Sequence, residues 1–149
     1  MQALLDMPAD SLSYQPTPDL MTYRDLALHI LNAGSALAGL LIDGVDDWTV
    51  PGFRDGMKKY YADIPDTAHA EDIAELLTQS IEQDCGRLAG KPAEFWEGMM
   101  RRFDGQEVTR LEMLQFCKEH ELTHRSQMFM YLRLRGLVPP TTRRRLVKR

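Results

Sequence analysis

The stretch Thr109 to Gly136, TRLEMLQFCKEHELTHRSQMFMYLRLRG, decides the fold. It holds no proline and no internal glycine, so nothing interrupts a helix along it. Thr109 with Glu112 three residues on is a capping box, and Gly136 followed by Pro139 and Pro140 supplies the stop. A helix of about 27 residues is roughly 40 Å long, enough to cross a small domain. Advancing ~100° per residue, Met113, Cys117, His120, His124, Met128, Tyr131 and Arg135 fall within a stripe of roughly 80°. The apolar members of that stripe must face the interior of a bundle, and the two histidines face it with them.

Working outward, the chain offers two further long helices. Thr22 with Asp25 caps a helix over 22–42, where Leu26, His29, Ala33, Ala36, Leu37 and Leu40 keep helical spacing. Another begins at Asp66 or Thr67 and runs through Ile73, Leu76, Leu77, Ser80, Ile81, Asp84 and Leu88 to a stop at Gly90. Between them, Asp43 to Ile64 carries three glycines with Trp48, Tyr60 and Tyr61, and reads as a long loop with a short helix lying over one end of the domain. Lys91-Pro92 opens a shorter helix through Phe95, Trp96, Met99 and Met100, after which Asp104-Gly105 turns the chain. Pro8, Pro16 and Pro18 leave room only for a short turn about Ala3 to Asp6. Three long helices without an alternating strand pattern define an all-α bundle, a single domain at 1–140 followed by a basic tail at 141–149.

Composition narrows the class further. The 149 residues are 44% hydrophobic and 27% charged, the balance of one globular domain able to bury a core without disulfides or a structural metal. No stretch approaches the ~20 apolar residues of a membrane span, so no membrane association is expected. After Glu121 there is no acidic residue; residues 122–149 carry eight Lys and Arg, and the first 121 residues have a net charge of −12. A short tail such as TTRRRLVKR is ordinarily solvated, and nucleic-acid binding is not favoured. Cys85 and Cys117 lie in helical stretches and read as buried, unreactive thiols. With no secretory leader in MQALLDMPADSLSYQP, the expected compartment is the cytoplasm.

His120 and His124 stand at i and i+4, one turn apart on one face, which makes them a chelating pair. A transition metal with open positions needs a third protein ligand. His29 points inward among small alanines; if successive helices alternate in direction, the first and last long helices run parallel and a modest stagger brings His29 level with the pair. His69, in the first turn of the middle helix, would sit at the opposite end, partly exposed. His29, His120 and His124 are therefore the candidate metal ligands. His-Glu-x-x-His is also the helix signature of zinc proteases, but these take a third ligand from further along the chain, and no His, Asp, Glu or Cys follows His124. Glu121 lies ~100° round from His120, where a solvated or ion-paired role suits it better, so a zinc-dependent hydrolase is the weakest reading. Cys117, one turn before His120, is a possible fourth ligand, with apolar packing the plainer role.

The segment HELTHRSQMFMYLRLRGLVPP, His120 to Pro140, resembles the end of the DinB-like (DinB/YfiT) superfamily, whose His-x-x-x-His-Arg-Gly-Gln helix runs into a tyrosine or leucine stripe, a glycine stop and prolines. SLSYQPTPDLMTYRDLALHI resembles that superfamily's approach to its first metal histidine, matching His29. The resemblance implies a four-helix up-down-down-up bundle, usually dimeric, with nickel or zinc on His29, His120 and His124, and, as in several relatives, a transferase or isomerase that uses a low-molecular-weight thiol. The alternative is a non-enzymatic dimeric helical protein in which the metal or the histidine cluster is structural. Arg125 and Gln127 flank the pair as orienting, interface or solvated groups, and Tyr131 either holds a substrate or fills the core. Two departures stand out: Ser126 replaces the motif's glycine, and only MQALLDM remains of a first helix. The open wall this leaves is covered either by the short helices around Phe53 to Tyr61 and Phe95 to Phe103 or by a second subunit, and a homodimer is expected.

Overall fold

A computed structural model describes residues 1–147, with side chains through Leu146. The elements run α1 (Gln2–Asp6), α2 (Tyr23–Ile42), α3 (Phe53–Met57), α4 (Ala70–Ala89), α5 (Ala93–Glu97), β1 (Met99–Arg101), β2 (Glu107–Thr109), α6 (Arg110–Leu134) and α7 (Pro140–Val147). The helix starts follow their caps. The Thr22 hydroxyl accepts from Asp25 N–H at 3.1 Å, and Thr109 and Glu112 exchange bonds of 3.2 and 2.7 Å in a complete capping box. Gly136, with φ of 76°, ends α6 in the left-handed region that favours glycine.

α2 is the central element and packs on both α4 and α6. Its length and mean hydropathy of 1.5 would suit a membrane span, contrary to expectation, but 61% of that window is buried inside the fold. Its Ala27 and Ile30 share one apolar cluster with Ile73 and Ala74 of α4 and Met128 and Leu132 of α6. Its Leu37 and Leu40 share a second with Leu88 of α4 and Met113 of α6. α2 and α4 therefore run in the same direction and α6 runs against both. This corrects the expectation of parallel first and last long helices: the connection from residue 43 to 69 carries the chain back before α4 begins, so α2 and α4 do not alternate.

Trp48, 2% exposed, anchors that connection over the second cluster, as expected of a loop covering one end. Its indole donates to Val45 O at 2.8 Å, and its ring stacks on Phe53 of α3 at 5.2 Å. The next stretch departs from expectation. Met99 and Met100 are not helical; α5 ends at Glu97, and β1 pairs antiparallel with β2, Met100 opposite Val108. The basic segment is helical over 140–147 with Arg143, Arg144 and Arg145 exposed to solvent, and Arg143 of α7 reaches both Asp6 oxygens at 2.9 and 2.8 Å. Lys148 and Arg149 lie outside the described residues.

α1 packs against both α4 and α6 at the end where Leu4 and Tyr23 are buried, and the Tyr23 hydroxyl donates to Ala3 O. Beyond this stub, the space between α4 and α6 is an apolar groove of about 850 Å³ floored by α2. None of its lining residues comes from α3 or α5, so the short helices do not cover the open wall. Cys85 faces this groove and is exposed, against the expectation of burial. Cys117 lines it from the other side, partly buried, and burial pushes its thiol up to about 12.

Candidate metal centre

α2 and α6 cross so that His29 faces His120 and His124. The Nε2 atom of His29 lies 3.2 Å from Nε2 of each partner. These are the three histidines singled out from the sequence, brought together by an antiparallel rather than a parallel crossing. One donor atom from each lies within 4.8 Å of the others, and no fourth His, Cys, Asp or Glu joins them among the described residues. His69 is exposed at the start of α4, where its N–H donates to Asp72 at 2.8 Å.

Burial lowers the pKa of His29, with His124 adding to the effect. Burial first, then His124 and His29, hold His120 down at about 4. Both imidazoles are thus neutral at pH 7, the form that presents a lone pair to a cation. Gln127 fixes the third: its Oε1 accepts from Nδ1–H of His124 at 2.7 Å, which leaves Nε2 of His124 as the free lone pair. This assigns the orienting role to Gln127 and not to Arg125, which pairs with Glu121 at 3.5 Å on the groove side of α6. Glu121 and Cys117 thus belong to the groove and not to the cluster. Ser126 donates to Leu122 O at 2.7 Å and leaves α6 continuous, so the change from glycine does not disturb the site.

The donor set suits a divalent transition ion. Zn–N bonds of about 2.0–2.1 Å at tetrahedral angles separate two nitrogens by about 3.3 Å, and the 3.2 Å contacts match it. Without a cation, a single proton on His29 Nε2 has to serve both neighbours, because His124 offers only a lone pair. Three neutral ligands leave the ion its full charge and positions open to a further ligand. Beside His29 and His120 lies a cavity of about 450 Å³, walled by Phe53 and Met57 of α3, Phe103 of the hairpin turn and Phe116 of α6. Sequence patterning did not find this wall, because α3 and the hairpin reach it only through the loop that Trp48 anchors. Tyr131 is absent from it: 6% exposed, packed on Tyr14 and Tyr23 and donating to Met21 O at 3.1 Å, it is a core residue.

Fold and site together define a helical bundle with a three-histidine cluster open to one cavity. The DinB family matches residues 1–149, and the chain belongs to that family. It is 26% identical over 129 residues to YjoA of Bacillus subtilis, covering 85% of this chain and 75% of that one. The crystal structure of that DinB-like protein superposes with a TM-score of 0.68 at 21% identity, over 93% of this chain and 85% of the other. A mycothiol-dependent maleylpyruvate isomerase superposes with a TM-score of 0.61 at 15% identity, over 83% of this chain but only 52% of the isomerase. At such identities these structures establish the helical fold.

Proposed function

We propose that this chain holds one divalent ion, nickel or zinc, on His29, His120 and His124, and uses a low-molecular-weight thiol in a transfer or isomerisation reaction. The observation that carries the reading is the convergence of three Nε2 atoms, 3.2 Å from His29 to each partner, beside an apolar cavity. A bound divalent cation stabilises a thiolate near neutral pH. Neither thiol of the chain lines the cavity beside the histidines: Cys85 and Cys117 both face the groove, and burial pushes Cys117 up to about 12. Gln127 keeps His124 in the ligating tautomer, and the aromatic wall gives an apolar surface on the side where a substrate would lie. Cobalt as a spectroscopic substitute tests this. One equivalent per chain is expected to bind, and 2-mercaptoethanol is expected to add a sulfur-to-cobalt absorption band in the near ultraviolet. Failure to retain one equivalent of cobalt, zinc or nickel overturns the reading.

The same reading takes the chain as a cytoplasmic homodimer. The groove between α4 and α6 is a mostly apolar face that a second copy would cover, with Ile81 46% and Leu111 58% exposed on its walls. A second copy suits it in charge. The α4 wall carries Asp84 and the α6 wall Lys118 beside the Glu121–Arg125 pair, so a two-fold axis running along the groove sets Asp84 of one copy toward Lys118 of the other. Light scattering is expected to give twice the chain mass at micromolar concentration, and Ile81→Glu with Leu111→Glu is expected to give the single-chain mass with the helical spectrum unchanged. A monomeric wild type sinks the dimer.

A further inference from the structure

We infer that the cavity beside the histidines is built for a carboxylate-bearing, largely apolar small molecule, with Arg54 and Asn32 binding the carboxylate. This deepens the reading above and rests on it for the place where the reacting end of the ligand lies. A few polar groups interrupt an otherwise apolar wall. Arg54, next to Phe53 in α3, lines the cavity and makes no hydrogen bond or ion pair among the described residues. Its neighbour Asp55 is engaged by Lys58 at 2.8 Å and does not neutralise it. Asn32 lies one turn after His29 on the same face of α2. Its Oδ1 accepts from Ala62 N–H at 3.1 Å, so the end of the amide left for a ligand is the NH₂ donor.

A guanidinium fork and an amide NH₂ are both donors, and a carboxylate accepts from both. The acidic residue on the wall is Asp25, seven residues before Asn32 and so about 10 Å along the helix, with Oδ2 engaged by the Thr22 hydroxyl at 2.7 Å. Along the α2 side of the cavity the acceptor Asp25 and the donor Asn32 therefore stand on either side of His29. Phe53, Phe103 and Phe116 provide apolar faces for the body of the ligand, and about 450 Å³ falls within the range of small-molecule sites.

Three congeners of one shape test the assignment: 3-phenylpropionate, 3-phenyl-1-propanol and 3-phenylpropylamine, titrated calorimetrically at low salt into the purified protein as isolated and again after chelation. The carboxylate is expected to bind about tenfold more tightly than the alcohol, the gain of a charge-assisted bond at an accessible arginine, with the amine weakest. Arg54→Met, at an exposed position, is expected to bring carboxylate and alcohol within about twofold, and Arg54→Lys to retain part of the preference. Equal binding of the three, tighter binding of the amine, no binding of any, or an unchanged preference in Arg54→Met overturns the inference. The two readings fail separately: protein that prefers the carboxylate yet holds no cobalt loses the metal assignment alone, and protein that holds cobalt without the preference loses the anion site alone.

Discussion

His120→Ala is expected to abolish retention of the metal while leaving the metal-free fold at pH 7 as stable as the parent, or more so. Losing an outer partner of a ligating histidine already costs roughly 10–100-fold in metal affinity, and removing one of three ligands costs more. The stability half of the prediction follows from the cluster's own electrostatics. In the metal-free protein three ring nitrogens face one another at 3.2 Å around His29, and burial together with its neighbours holds His120 at about 4, below its ordinary value of 6.5. A histidine with a depressed folded pKa leaves the unfolded chain binding more protons, so stability falls as pH drops through the window from 6.5 to about 4. The ring is only half-buried, so the full shift overstates the effect; a loss of about 1–2 kcal/mol is expected after allowing for solvent screening. His120→Ala removes this loss, and thermal melts of chelated protein at pH 7 and pH 5 should show the variant less acid-sensitive than the parent. A drop of several kcal/mol at pH 7, as for a core truncation, would mark the cluster as structural and favour a non-enzymatic metal or polar centre.

What could be read from the residues is what local chemistry determines. Thr22 and Thr109 cap helices through side chains three positions away, and both helices start where those caps are. The stripe that turns His120 and His124 inward is a property of one helix, and it is correct however that helix is oriented. Direction was not legible from periodicity, because it depends on where the 43–69 connection carries the chain; the up-down-down-up order implied by the resemblance, with its first helix reduced to α1, does match the antiparallel crossing in which the three histidines meet. The β1–β2 hairpin was missed for the same kind of reason: three-residue strands show no alternation, and they exist through pairing across Asp104-Gly105 and through Trp48 N–H donating to Arg101 O at 2.9 Å. α4 begins at Ala70 and not at Asp66 or Thr67, since Pro65 O takes the N–H of Ala68 in a turn first. Cys85 keeps the helical spacing of a core residue, yet that face meets an open groove, and spacing alone cannot tell a filled interior from an unfilled one.

Trp48→Ala is expected to cost about 3–5 kcal/mol, the range for truncating a buried aromatic residue, and with it the carboxylate preference of the cavity. At roughly 2–4 °C per kcal/mol for a chain near 150 residues, the melting temperature should fall by roughly 6–20 °C. The indole fills the second core cluster against α2 and the hairpin, and its loss leaves Val45 O without its 2.8 Å donor. The effect reaches the cavity through Phe53, which stacks on the indole with an interplanar angle of 23° and starts the short helix that carries Arg54. The histidines come from α2 and α6, which pack on one another directly, so the variant should still bind one equivalent of cobalt where it remains folded. Trp48→Phe separates packing from hydrogen bonding: it keeps a ring against Phe53, loses the Nε1 donor, and should cost about 1 kcal/mol for the missing bond plus a smaller packing loss. Retention of the full carboxylate preference in folded Trp48→Ala would show that α3 holds its place without this anchor. Joint loss of the preference and the metal would show instead that the cavity and the histidine cluster are one cooperative unit.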